Sequence, residues 1–243
     1  MMLSRFEHLI RRSVNSIGLD LHRYNPRNSH MGRLATMLAC NKVNLVFDVG
    51  ANTGQFAQSL RRAGYTEHMI SFEPLSSAYS NLLQVSRKDS LWKIAPRTAI
   101  GEEDGEVDIH VSANSVSSSA LPMLDNHAKA ELNSVYIGVE RVRLARLDRL
   151  TREYLWPEAV SFLKIDTQGY EDRVINGATE LLPNVKGVQL ELSLVPLYEG
   201  QQLYDVLIKR LVSLGFSIWA IWPGFCDPRT GRMLQVDVTF FRS

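Results

Sequence analysis

Two acids bracket a glycine turn in this chain. Asp48 precedes Gly50, Asn52 and Gly54 in NLVFDVGANTGQF, and Glu73 closes the apolar run MISFE that follows. Glycines let a turn take positive φ and bring the backbone close to a ligand. A carboxylate at the end of the next strand can accept both hydroxyls of a ribose. A strand, a Gly-x-x-x-Gly turn, a helix and a strand-terminal acid form the skeleton of a nucleoside-binding βαβ unit. A dinucleotide fits this turn poorly. The G-x-G-x-x-G fingerprint aims helix N–H groups at a pyrophosphate. Here Asn52 stands in place of the second glycine, and Asp48 would repel a pyrophosphate while suiting an ammonium group.

Elements of both kinds are needed to hold these residues. Strand and helix alternate from Val43 onward, which implies a mostly parallel sheet with helices on both faces. The expected strands are 44–49, 69–73, 92–99, 160–165 and 187–193, with helices at 54–63, 75–86, 170–182 and 201–213. Asp104-Gly105 in EEDGE favours a tight hairpin turn leading into an exposed strand, VDIHVS. FSIWAIWP and LQVDVTFFR read as a terminal antiparallel hairpin, and alternation puts Trp219 in the core. The domain spans 43–243, preceded by a helical extension over 1–42.

Composition sets wider bounds. The chain has 243 residues, 45% hydrophobic and 22% charged, with net charge +1, so nothing in it calls for a nucleic-acid partner. Cys40 and Cys226 have no metal-ligand spacing and fit a reducing compartment. No apolar run approaches the ~20 residues that span a bilayer, and no secretory core is evident. A cytoplasmic location is the expectation. Phe6, Leu9, Ile10, Val14 and Ile17 recur at helical spacing beside Arg5, Arg11 and Arg12. Two readings stand for that segment: a basic helix lying on the inner membrane surface, or a helix that caps the domain or forms a dimer interface. Residues 22–30 read as a loop and 32–40 as a second helix. Oligomeric state is left open.

The turn D-x-G-x-N-x-G is of the form that S-adenosylmethionine (SAM) methyltransferases carry, and a parallel sheet closed by an antiparallel hairpin is their usual shape. Four segments together resemble the FkbM family of SAM-dependent O-methyltransferases: FDVGANTGQF (47–56), ISFEP (70–74), SVSSSAL (115–121) after an AIG–DGE segment, and LKIDTQGYE (163–171) followed by INGATELL. RLDRL (146–150) fits as a short strand entering a helix. The resemblance covers roughly 43–241. It departs at Gln168, where the family usually has Glu, and at Tyr170, where a small residue is common.

The resemblance implies a Rossmann-like α/β fold with a seven-stranded, mostly parallel sheet and a C-terminal antiparallel hairpin. It implies SAM as cofactor. Gly50, Ala51, Asn52 and Gly54 would carry its methionine part, with Asp48 near the ammonium, Glu73 on the ribose, and Thr98 and Ala99 along the adenine edge. Methyl transfer to a hydroxyl is an in-line displacement whose acceptor must be aligned and deprotonated. Asp166, Glu191 and His110 are the candidate bases. Asp166 closes a strand, where open α/β sheets place their ligands; its other readings are a turn cap or a partner of the SAM amino group. Glu191 either reaches the substrate or pairs with Lys164, and Glu171 reads as structural. Asp166 and Glu191 could together hold Mg²⁺ for a diol acceptor, but a metal-free site is favoured. The serine cluster with Asn114 reads as a ligand-binding loop or a surface linker. His127 falls in the segment expected over the acceptor. Typical acceptors in the family are sugar hydroxyls of glycolipids and hydroxyls of polyketides. A methyltransferase for a non-sugar acceptor and a non-catalytic SAM- or nucleotide-binding partner subunit are the alternatives.

Overall fold

The computed structural model describes residues 5–19 and 29–242, so most of the loop expected at 22–30 lies outside the described residues. In chain order the elements are α1 (Arg5–Asn15), α2 (His30–Cys40), β1 (Leu45–Val49), α3 (Gln55–Arg62), β2 (His68–Phe72), α4 (Ser76–Ser86), β3 (Trp92–Ile94), β4 (Ala99–Gly101) and β5 (Gly105–Ser112). There follow α5 (Asp125–Ala130), β6 (Tyr136–Arg146), α6 (Leu147–Thr151), β7 (Ser161–Ile165), α7 (Glu171–Asn176), β8 (Val185–Ser193), α8 (Tyr204–Ser213), β9 (Phe216–Pro223) and β10 (Gln235–Arg242).

Seven strands form one sheet in the order β3-β2-β1-β7-β8-β10-β9. β1, β2, β3, β7 and β8 are parallel, and β10 runs antiparallel to both β8 and β9. The expected fold class therefore holds. All five residues of β1 and of β7 are buried, as strands covered on both faces require. On one face Phe47, Leu163, Val188 and Leu190 pack with α7 and α8 residues such as Val174 and Leu207. On the other, Val46 and Phe162 pack against Leu34 and Leu38 of α2 and Ala57 and Leu60 of α3. Thus α2, within the stretch read as an extension, contributes to the domain core. Ile10 of α1 and Ile17 in the turn after it are exposed. Among the described residues no helix is long and apolar enough to cross a membrane.

Four expectations are corrected. The strand read over 92–99 is two strands, because Ala95-Pro96 interrupts it. β3 joins the main sheet, and β4 joins a second sheet of order β4-β6-β5. Residues 102–106 do not close a hairpin, since β4 and β5 both pair with β6 rather than with each other. Asp104 instead accepts the Arg146 backbone N–H at 3.2 Å and pairs with Arg149 at 2.7 Å. The helix read over 170–182 stops at Asn176. Gly177 follows it and crosses β4 so closely that a Cβ there would lie 1.9 Å from the Gly101 carbonyl oxygen. Trp219 is not core either. It packs at a tilt on Phe241 with 46% of its surface exposed, because a register shift opposite Thr239/Phe240 breaks the alternation.

Candidate active site

The carboxyl ends of β1, β2, β7 and β8 open into a cavity of about 580 Å³, within the range of small-molecule sites. Its first wall is the turn after β1. Gly50 has φ +78°, and a Cβ there would fall 1.9 Å from the Asp166 carbonyl oxygen. Gly54 has φ +87°, and its Cβ would meet the Trp92 ring at 2.7 Å. These glycines answer to the protein's own packing: Gly50 lets the β1 turn sit against the end of β7, and Gly54 lets it sit against Trp92 of β3 and Leu82 of α4. Gly50, Ala51 and Asn52 line the cavity; Gly54 and Asp48 do not.

Glu73 ties β2 to that turn. Its Oε2 accepts the Asn52 N–H at 2.8 Å and its Oε1 accepts the Leu75 N–H at 2.9 Å. Burial pushes its carboxyl up to about 7, against the pull of those two N–H groups. It faces the cavity with lone pairs to spare. Thr98 and Ala99 line the same side, but at the start of β4 rather than within a long third strand. The Thr98 hydroxyl is buried without a hydrogen-bond partner. A carboxylate placed for a ribose and a buried hydroxyl still free to bond suit an adenosyl group.

Asp48 lies beneath the cavity rather than in it. It is fully buried, pairs with Lys164 Nζ at 3.2 Å and accepts the Ser71 hydroxyl at 3.2 Å. The β1–β7 register makes this pair inevitable, since Asp48 lies directly opposite Lys164. Lys164 also donates to the Gly50 carbonyl at 3.1 Å and reaches Asp166 at 3.4 Å. Burial opposes its charge, but Asp48 and Asp166 outweigh burial and hold the ammonium above its usual range. Burial likewise pushes the Asp48 carboxyl up, and Lys164 pulls it back. Lys164, not a ligand, is therefore the immediate partner of Asp48.

Asp166 follows β7 and lines the cavity, its N–H donating to Val49 O at 3.1 Å. Gln168, at φ +54°, arches back over it. Its amide donates to Asp166 Oδ1 at 2.8 Å and to Glu191 Oε2 at 2.6 Å, while its carbonyl accepts the Tyr198 hydroxyl at 2.8 Å. Gln235 also donates to Glu191 Oε2, at 2.7 Å. Glu191 is thus held by two amides and does not pair with Lys164. Burial and the Asp166 and Asp237 charges push its carboxyl well above the usual range. Glu171 accepts the N–H groups of Thr167 and Gly169, a structural role. Among the described residues no group of three or more His, Cys, Asp or Glu is arranged to hold a metal.

The serine segment crosses the mouth and lines the cavity. Ser115 and Asn52 are 3.3 Å apart through their side chains, and Ser119 donates to the Gln168 carbonyl at 2.6 Å. It is a braced strap between the two turns, not a linker. His110 is not in the cavity. It stacks on Tyr136, because alternation along β5 turns Val107 and Ile109 to the cavity and His110 to the other face. His127 does line it, wedged between Tyr198 and Phe225. Sequence reading passed over His30, Gln189, Gln235 and Asp237, all of which line the cavity. The alternation in VQLELS and LQVDVTFF carries the signal, since Gln189, Glu191 and Asp237 share the face opposite Val188, Leu190 and Val238.

The family model described as "Methyltransferase FkbM domain" matches residues 48–218. The chain belongs to the FkbM methyltransferase family. Its members' donor is SAM, and this chain is a SAM-dependent methyltransferase. A 2-O-methyltransferase, NoeI, of Sinorhizobium fredii is 25% identical over 185 residues, covering 74% of each chain. Among solved structures, a SAM-bound magnesium protoporphyrin IX methyltransferase of Synechocystis PCC 6803 aligns at TM-score 0.47 and 12% identity over 100% of both chains. The 1,6-didemethyltoxoflavin-N1-methyltransferase of Burkholderia thailandensis aligns at TM-score 0.46 and 10% identity, over 100% of this chain and 92% of that one. The FkbM match covers the glycine turn, Glu73, the serine strap, Asp166 and Glu191 together.

Proposed function

We propose that this FkbM methyltransferase transfers the methyl group of SAM to a hydroxyl of a sugar, with Asp166 as general base. The observation that carries the reading is the placement of Asp166. It lines the cavity at the end of β7, packed against the Gly50 turn and anchored by Lys164 and Gln168. A base there stands beside the turn that would hold the methionine end of the donor. The similarity to a 2-O-methyltransferase supports an oxygen acceptor.

In this reading SAM supplies an electrophilic methyl group on a sulfonium, and the chain supplies alignment and a proton acceptor. Glu73 accepts the ribose hydroxyls, and Thr98 and Ala99 line the adenine. Gly50, Ala51 and Asn52 border the methionine part, with Asp48 acting through Lys164. Ser115 and Asn114, on the strap, offer hydroxyl and amide groups to the donor carboxylate or to the acceptor. Asp166 takes the hydroxyl proton as the carbon–oxygen bond forms, its orientation fixed by the Gln168 amide. Glu191 locks Gln168 by accepting its amide N–H. The Gln168 amide fills the space between the Asp166 and Glu191 carboxylates, so the chemistry proceeds without Mg²⁺.

The test is incubation of the protein with methyl-labelled SAM and a panel of methyl glycosides, lipid-linked and free, with product structures read by NMR. Label in an O-methyl ether on a ring hydroxyl supports the proposal. Label on nitrogen or carbon, or SAM binding with no transfer to any glycoside, overturns it.

A further inference from the structure

One end of the cavity is not used by this mechanism. The β7–β8 register sets Ile165 opposite Leu190, so Asp166 and Glu191 fall at the same level. The β8–β10 and β10–β9 registers set Glu191 opposite Asp237 and Asp237 opposite Trp222. A polar row therefore crosses four strands, from Asp166 to the Trp222 ring. Asp237 lies two strands from Asp166, about 10 Å at the backbone for strands ~4.8 Å apart. His30 closes that end, stacked on Trp222 with centroids 4.9 Å apart.

This end carries unspent hydrogen-bonding capacity. Asp237 lines the cavity with Gln189 as its one side-chain hydrogen-bond partner and no cation within ion-pair distance among the described residues, whereas Asp166 has Lys164 and Glu191 has two amides. His30 Nε2 is buried without a hydrogen-bond partner. Burial, with the Asp166 charge adding to it, pushes the Asp237 carboxyl up to about 6, so near neutral pH it is an acceptor held in poor solvation. Buried polar groups of this kind are normally matched by a partner.

We infer that Asp237, with His30, is a specificity-determining subsite that accepts a hydrogen bond from a second hydroxyl of the acceptor, so that the substrate is a polyhydroxylated ring spanning Asp166 and Asp237. This rests on the sugar reading above. The hydroxyl to be methylated faces Asp166, and another hydroxyl of the same ring faces Asp237. An acceptor with a single hydroxyl leaves the half-buried Asp237 carboxylate with Gln189 as its side-chain partner and no ligand hydroxyl.

The experiment compares wild type with Asp237→Asn, using labelled SAM, each methyl glycoside that wild type methylates, and its single-deoxy analogues. S-adenosylhomocysteine (SAH) titration controls for folding and the donor site, and the variant should bind it within about threefold of wild type. The variant should lose about 10- to 100-fold in kcat/KM on the full glycoside, the scale of one hydrogen bond to a charged group. On one deoxy analogue the two proteins should converge, because the hydroxyl that Asp237 binds is gone. An unchanged rate on the full glycoside overturns the inference and leaves the sugar reading standing, and so does an equal loss on every analogue. Failure of wild type to methylate any glycoside, with SAH still bound, overturns both.

Discussion

Glu73 gives the sharpest handle on donor binding, through pH. In the free protein its carboxyl is pushed up to about 7 by burial. Accepting two ribose hydroxyls requires the ionised form. Binding therefore releases a proton wherever the free protein still holds one, and affinity rises with pH up to about 7, then levels. Apparent affinity scales with the fraction ionised. At pH 5.5, 1.5 units below the midpoint, about 3% is ionised, so SAH should bind about 30-fold more weakly than at pH 8.5. Asp237 and Glu171 titrate in the same range, near 6 and 7, so a control is needed. Glu73→Gln keeps both of them. The variant should bind SAH about 10- to 100-fold more weakly at pH 8 and lose most of the pH dependence. Calorimetric titration across this range, in buffers of differing ionisation enthalpy, reads both affinity and proton release. A flat profile in wild type, or the same slope in Glu73→Gln, would refute the ribose role.

Lys164→Met strands Asp48, and unfolding in urea should show a loss of roughly 3–5 kcal/mol, most of it regained in the Lys164→Met/Asp48→Asn double variant. Glu191→Gln should keep turnover at pH 7 within about threefold, since a Gln carbonyl oxygen can still accept the Gln168 and Gln235 amides as Glu191 Oε2 does; a hundredfold loss would make Glu191 the base instead. Exhaustive chelation should leave turnover unchanged. Activity that disappears and returns with Mg²⁺ would show that a cation displaces the Gln168 amide.

Some of this site was legible in the sequence because its signals are local. The Gly50 turn, Glu73 and Asp166 each close a short apolar run, and strand ends are where a parallel sheet gathers its ligands. The failures share another cause. Asp48 looked like a ligand contact because its pairing with Lys164 depends on the β1–β7 register, which links positions distant in the chain. Asp237 and Gln235 enter the site because β10 inserts between β8 and β9, and His30 because α2 packs onto the same face. No local pattern announces an insertion of that kind. His110 was misplaced for a different reason. β5 does border the cavity, but through Val107 and Ile109, and strand alternation turns His110 to the opposite face.

The central claim is that Asp166 deprotonates an acceptor hydroxyl beside bound SAM, and Asp166→Asn tests it most directly. Labelled methyl transfer and SAH affinity should be measured on the same preparation, with the best glycoside acceptor. The account predicts a loss of about 10²- to 10⁴-fold in kcat, with SAH affinity within about threefold of wild type. Retained kcat, or a parallel collapse of both quantities, would contradict it and make Asp166 a donor-binding or structural residue.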